Sequence, residues 1–266
     1  MFQDERDHMT CEFSSLTKTT WYHMNMAPKK KSQATEQAPG YTFPQNLYSL
    51  HSSFASSFFK AVPESVVEDQ IITIDHFFTD EFCNELISDI TNKLTLETTP
   101  LIKSRDYAAR FNDRVSITSL PAADALWKYL RAVLMEVPQY EDPDLEHIRD
   151  IFQAARSLNP QLRVYRYLKG HHFGKHYDES VTCPLAHDSK VKGKTKWTLL
   201  IYLTGDDEFI GGGTIFHPEL RGAKPLNIHP SKGMALLHKH GDDCLKHEAE
   251  LVKSGVKWVL RSDVTY

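Results

Sequence analysis

"KTKWTLLIYLTG" (residues 194–205) is the stretch whose reading decides the fold. It is rich in β-branched, aromatic and aliphatic residues, and it stops at a glycine turn signal. The same texture recurs on both sides of it. "QLRVYRYLKG" (161–170), "GGGTIFHP" (211–218), "KPLNIHPSKGMALLHK" (224–239), "CLKHEAELVKSG" (244–255) and "VKWVLRSDVTY" (256–266) are short β-rich pieces cut by Gly, Pro and Asp. About eight short strands separated by turn signals over some hundred residues indicate an all-β sandwich or jelly roll.

Upstream the period changes. "QIITIDHF" (70–77) reads as a strand, and Thr79 and Asp80 are placed to cap a helix carrying Phe82, Leu86, Ile87 and Ile90. A second apolar stripe, with Ala125, Leu126, Leu130, Val133 and Leu134, marks a helix over 122–137, and a third helix is expected over 142–158. Residues 26–40, "MAPKKKSQATEQAPG", have no apolar period. The expected organisation is therefore a disordered leader at 1–62, a helical part at 63–160, and a jelly-roll core at 161–266. The class is α+β: a double-stranded β-helix, or jelly roll, with N-terminal packing helices.

Composition narrows the function. A hydrophobic fraction of 41% and a charged fraction of 25% are those of a soluble globular protein. No apolar run approaches the roughly 18 residues of a spanning helix, so no membrane partner is expected. A net charge of −4 argues against a general nucleic-acid binder. Cys11, Cys83, Cys183 and Cys244 are scattered without CxxC spacing, which favours a reducing compartment, cytoplasmic or nuclear.

The chemistry centres on "HYDES" (176–180). His176 and Asp178 are two positions apart, so on a strand both point to one face. Two histidines and one carboxylate with open positions suit non-haem Fe(II) oxygen chemistry. The third ligand has several candidates: His217, His229, His238, His240 and His247. His247 is distinguished by Lys257, ten residues on across the Gly255 turn. A dicarboxylate that chelates iron at one end needs such a cation for its far carboxylate.

The order His-x-Asp, "TLLIYLTG", "GGGTIF", "GMALLH", then His and a Lys ten residues later resembles the prolyl 4-hydroxylase-type catalytic domain of the Fe(II)- and 2-oxoglutarate-dependent dioxygenases. The resemblance implies His176, Asp178 and His247 as iron ligands and Lys257 as the anchor of 2-oxoglutarate. It places Tyr167 where such enzymes keep a tyrosine beside the cosubstrate, and Tyr202 as a second tyrosine lining that pocket. Fe(II), 2-oxoglutarate and O2 are then expected, with ascorbate as an accessory reductant. The implied reaction hydroxylates a peptidyl proline or a small metabolite and releases succinate and CO2. A nucleic-acid demethylase on the same barrel, or a non-catalytic jelly-roll binding module, are the alternatives.

Arg110, Asn112 and Arg114, in "SRDYAARFNDR" (104–114), are candidates for substrate contact, set against an Asn-Asp turn. Arg261 shares a strand face with Lys257 by alternation. It is a candidate for cosubstrate or substrate contact, or for a structural pair with Asp263. The Lys-rich 180–196 segment is expected to form a mobile lid. "HKHGDD" (238–243) is expected to be a polar turn, and His171 and His172 are expected on an exposed approach loop.

Overall fold

The computed structural model describes residues 40–57, 61–100, 108–136, 143–219, 222–242 and 244–266. The front half carries α1 (Gln45–Ser57), α2 (Asp80–Lys93), α3 (Leu120–Met135) and α4 (Pro143–Phe152). Between these helices lie β1 (Pro63–Val67), β2 (Ile71–Ile74), β3 (Glu97–Thr98), β4 (Arg110–Phe111) and β5 (Asp113–Thr118). The back half opens with β6 (Ser157–Leu158), β7 (Gln161–Tyr167), β8 (His172–His176), β9 (Thr182–Pro184) and β10 (Lys192–Tyr202). It continues with β11 (Phe209–Gly211), β12 (Thr214–His217), β13 (Leu226–Ile228) and β14 (Ala235–Lys239). The chain closes through β15 (Lys246–Ala249), β16 (Val252–Gly255) and β17 (Lys257–Thr265).

Two antiparallel sheets form the jelly roll. The larger runs β1-β2-β14-β10-β17-β7-β5-β3, and the smaller runs β13-β12-β15-β8-β4. The 194–205 stretch that opens the sequence reading becomes β10, flanked by β14 and β17 near the middle of the larger sheet. Its unbroken Leu199-Leu200-Ile201-Tyr202-Leu203 run follows from that place: both faces are covered, so strict alternation is not required. The helices pack against this sheet. Thr79 caps α2 by accepting from the Phe82 N–H, and Phe82, Cys83, Leu86 and Ile90 are its buried side. Ser119 caps α3, whose Leu126, Leu130, Val133 and Leu134 enter the same core.

Four expectations are corrected. The leader does not extend to residue 62: Phe43 and Leu47 are buried in the main core, and Tyr41 donates to Asp89 of α2 at 2.6 Å. Two core side chains and two hydrogen bonds, the other from Asn46 to Glu85, fasten a segment too polar for a clear apolar stripe. Residues 1–39 and 58–60 lie outside the described residues. The front half is not helical alone: β2 pairs with β14 and β5 pairs with β7, extending the larger sheet on both sides. The third helix ends at Phe152, short of residue 158, and β6 begins five residues later.

The 180–196 segment is a hairpin. Thr182, Cys183 and Pro184 pair with Lys194, Gly193 and Lys192, and Leu185 and Ala186 are buried. Gly193 has no room for a side chain, since an added Cβ would meet the Tyr266 carbonyl at 2.4 Å. Among the described residues no helix is long and apolar enough to cross a membrane.

Truncating Leu47, which is fully buried, is expected to destabilise the protein by about 2–5 kcal/mol, the usual cost of an aliphatic core deletion. Urea unfolding of Leu47→Ala measures this, and an unchanged midpoint would place α1 outside the folded unit.

Candidate active site

The two sheets face each other across a cavity. From the smaller sheet, His176 at the end of β8 and His247 on β15 are directly opposed in the antiparallel register. Opposed residues share a face, and the two rings lie 4.2 Å apart between centroids. Asp178 follows two residues after His176. Ligand atoms of His176, Asp178 and His247 all lie within 4.8 Å of one another. Tyr177, between them, faces outward and is exposed.

The imidazoles are turned for metal binding. Nδ1 of His176 faces the Gly174 carbonyl at 2.8 Å, and Nδ1 of His247 faces the Leu245 carbonyl at 3.4 Å. An Nδ1–H donated to a carbonyl leaves the lone pair on Nε2, directed at the centre. The Nε2 atoms of His176 and His247 stand 3.8 and 3.6 Å from the Asp178 oxygens. Burial lowers His176 to about 4 and His247 to about 3, so both rings are neutral at neutral pH. Two neutral imidazoles and an ionised carboxylate are a donor set that fits Fe(II).

Asp178 is held from the opposite sheet. Thr198 on β10 donates to Oδ2 at 2.9 Å, while Arg261 on β17 places its two terminal nitrogens 3.2 and 3.1 Å from Oδ1 and Oδ2. Burial opposes ionisation of Asp178, but Arg261 and the surrounding imidazoles outweigh it and hold the carboxyl well below its ordinary value. Arg261 also pairs with Asp263 at 3.0 Å. Both its carboxylate partners are therefore protein groups, as the structural-pair expectation has it.

Lys257 occupies the inner end of the larger sheet's face. Alternation along β17 sends Lys257, Val259 and Arg261 into the cavity, and β7 supplies Tyr165 and Tyr167 opposite them. The ammonium lies 5.5 Å from the Tyr167 ring centroid and 5.2 Å from that of Tyr202, and it donates to the Gly212 carbonyl at 2.6 Å. Among the described residues no carboxylate lies within ion-pair distance of it. Burial pushes its pKa down to about 7, only partly offset by Glu250.

Other expected residues divide. Tyr167 lines the cavity, but Tyr202 sits behind Thr214, its hydroxyl 2.7 Å from the threonine Oγ1. Arg110 lines the cavity. Asn112 is fully buried behind it and accepts from the Arg110 Nε at 3.0 Å. Arg114 is not a lining residue, because the chain leaves the smaller sheet after β4 and joins the larger one at β5, which breaks the two-residue alternation.

Histidines read from the sequence as polar turn or exposed loop are buried. His171 packs on Phe111 with ring centroids 4.3 Å apart. His240 sits between Thr195 and Thr198, each at 2.9 Å. His238 lines the cavity with its Nε2 3.6 Å from Asp178 and no hydrogen-bond partner. Its signal was available in the alternation of "ALLHK", which puts His238 on the same face as Leu236.

Comparison with known proteins agrees with this geometry. Residues 162–262 match the model of the 2OG-Fe(II) oxygenase superfamily, and no curated protein matches the chain. The chain is similar to the solved viral collagen prolyl hydroxylase of Paramecium Bursaria Chlorella virus-1 in its 2OG complex, at 21% identity and a TM-score of 0.47 over 74% of this chain and 96% of that one. It is also similar to a Pseudomonas putida prolyl-4-hydroxylase, at 14% identity and a TM-score of 0.48 over 82% and 98% of the two chains. A Trichoplax adhaerens prolyl hydroxylase, solved with a hypoxia inducible factor oxygen degradation domain peptide, gives 14%, 0.47, 83% and 91%. These likenesses are distant, and the family match carries the assignment. Residues 162–262 match a 2OG-Fe(II) oxygenase domain, and that match supports an oxidoreductase.

Proposed function

We propose that this chain is a dioxygenase in which His176, Asp178 and His247 hold Fe(II) and Lys257 receives the far carboxylate of 2-oxoglutarate. The observation that carries the reading is the convergence of those three ligand groups within 4.8 Å, with an unpaired buried ammonium in the same cavity. Bound Fe(II), with 2-oxoglutarate and O2, supplies the oxidising chemistry that hydroxylates a substrate C–H bond as succinate and CO2 are released.

The protein's own residues bind and orient. The Gly174 and Leu245 carbonyls fix the imidazole tautomers, and Arg261 and Thr198 fix the Asp178 carboxylate. Lys257 gives the cosubstrate a buried cation, and the Tyr167 ring walls that end of the cavity. The apolar side chains of Phe173, Leu200, Ala249 and Val259 limit water around the reacting carbon. The substrate class of this reading is a peptidyl proline or a small metabolite, with ascorbate as an accessory reductant.

Succinate release from purified protein with Fe(II), 2-oxoglutarate and ascorbate tests the activity. Asp178→Ala and His176→Ala are expected to lose succinate release and to weaken iron binding by about 100-fold or more, beyond the 10–100-fold typical of changes in outer partners. Retained iron affinity would remove these residues from the metal site.

Lys257→Ala is expected to raise the apparent KM for 2-oxoglutarate by at least about tenfold, a charge-assisted bond's worth, with much less effect on iron binding. Equal effects on both would contradict the assigned role.

The pH dependence has a definite sign. The free-enzyme pKa of Lys257 is lowered to about 7, so the ammonium is present below that pH and lost above it. Affinity for 2-oxoglutarate is expected to be flat below pH 7 and to fall by up to about tenfold per unit above it, a slope that Lys257→Arg abolishes. Affinity that rises above pH 7 would contradict this.

A further inference from the structure

We propose that the molecule oxidised here is a small carboxylic acid, and that Arg110 receives its carboxylate. The inference rests on the dioxygenase reading above and names the substrate class of that site.

The cavity holds three cations and one carboxylate. Asp178 is already matched by Arg261, and Lys257 is assigned to the cosubstrate, which leaves Arg110. Among the described residues no carboxylate pairs with it. Its two guanidinium neighbours differ: Arg163 reaches Asp263 at 3.2 Å, and Arg261 reaches both Asp178 and Asp263. The positive field around Arg110 is strong enough to act on a phenol nearby. Burial would raise Tyr165, yet Arg110, Arg261 and Arg163 together lower it.

The guanidinium is pre-positioned. Asn112 accepts from its Nε at 3.0 Å, and its carbon lies 4.7 Å from the ring centroids of both Tyr165 and Phe173. Asn112 engages Nε and the Tyr165 hydroxyl hydrogen-bonds the guanidinium, so the planar group is held beside aromatic faces with its remaining N–H groups left for a carboxylate. Contacts with ring faces do not neutralise a cation taken out of water, whereas an incoming carboxylate does.

The placement also sets the scale of the ligand. Phe173, under the guanidinium, stacks on the His176 ring at 3.7 Å between centroids and 20° between planes. Arg110 is thus separated from the candidate metal centre by one phenyl ring and one imidazole. A carboxylate bound there brings a carbon only a few bonds away to the reacting position, the size of an amino acid or a small organic acid.

The test is a titration of the Mn(II)-loaded protein, saturated with 2-oxoglutarate so that the Lys257 end is filled. Two matched pairs are added: benzoate with benzamide, and N-acetyl-L-proline with N-acetyl-L-prolinamide. Each carboxylate is expected to bind at least about tenfold more tightly than its amide. Arg110→Met should remove that preference, and Arg110→Lys should retain part of it. Equal affinity for acid and amide, no binding of either acid, or an undiminished preference in Arg110→Met would each overturn the proposal. The wild-type acid-to-amide comparison decides the case even where Arg110→Met fails to fold. Binding of 2-oxoglutarate is read first, and its absence would overturn the dioxygenase reading, a result separate from the carboxylate comparison.

Discussion

The architecture turns on one buried carboxylate. Asp178 extends from the smaller sheet and accepts from Thr198 and Arg261 of the larger one. A charge so far from water is stable only where cations and donors surround it, and breaking such a pair by removing one partner typically costs about 3–5 kcal/mol. The same set of bonds does three things. It joins the sheets, keeps Asp178 ionised, and fixes its oxygens beside the His176 and His247 nitrogens. Arg261 therefore acts on the candidate metal site through Asp178, and its link to Asp263 keeps it from turning toward a ligand.

Around that point the chemistry follows from strand alternation. The β8–β15 register opposes His176 to His247, and the β7–β17 register opposes Tyr167 to Lys257. Both sheets contribute to the cavity: the smaller presents His176, His247 and Arg110, and the larger presents His238, Lys257 and Arg261. Ligand groups and charges fixed in place by the two sheets form an arrangement that needs little reorganisation on binding.

The parts legible in the sequence were those set by short-range spacing. His-x-Asp and the capped helix after Thr79 are local patterns, and the structure keeps both. His247 and Lys257, by contrast, lie not on neighbouring antiparallel strands but on β15 and β17 of different sheets, with β16 between them in sequence. What escaped depends on long-range packing. Helix α1 is held by Phe43 and Leu47 inserted in a core assembled from distant elements. The 180–196 segment reads as a polar lid because its charged residues conceal Leu185 and Ala186 beneath them. Arg110 and Arg114 seemed equivalent until the change of sheet between β4 and β5 separated them. His171, His238 and His240 are hydrophilic by residue type and buried by position, which composition does not encode.

One Fe(II) and one 2-oxoglutarate are proposed to meet at His176, Asp178 and His247, and anaerobic titration followed by visible absorption tests this. Saturation is expected at one Fe(II) per chain, with a charge-transfer band that develops only when 2-oxoglutarate is added and is absent in His247→Ala. Failure to take up stoichiometric iron, or a band that persists in His247→Ala, would contradict it.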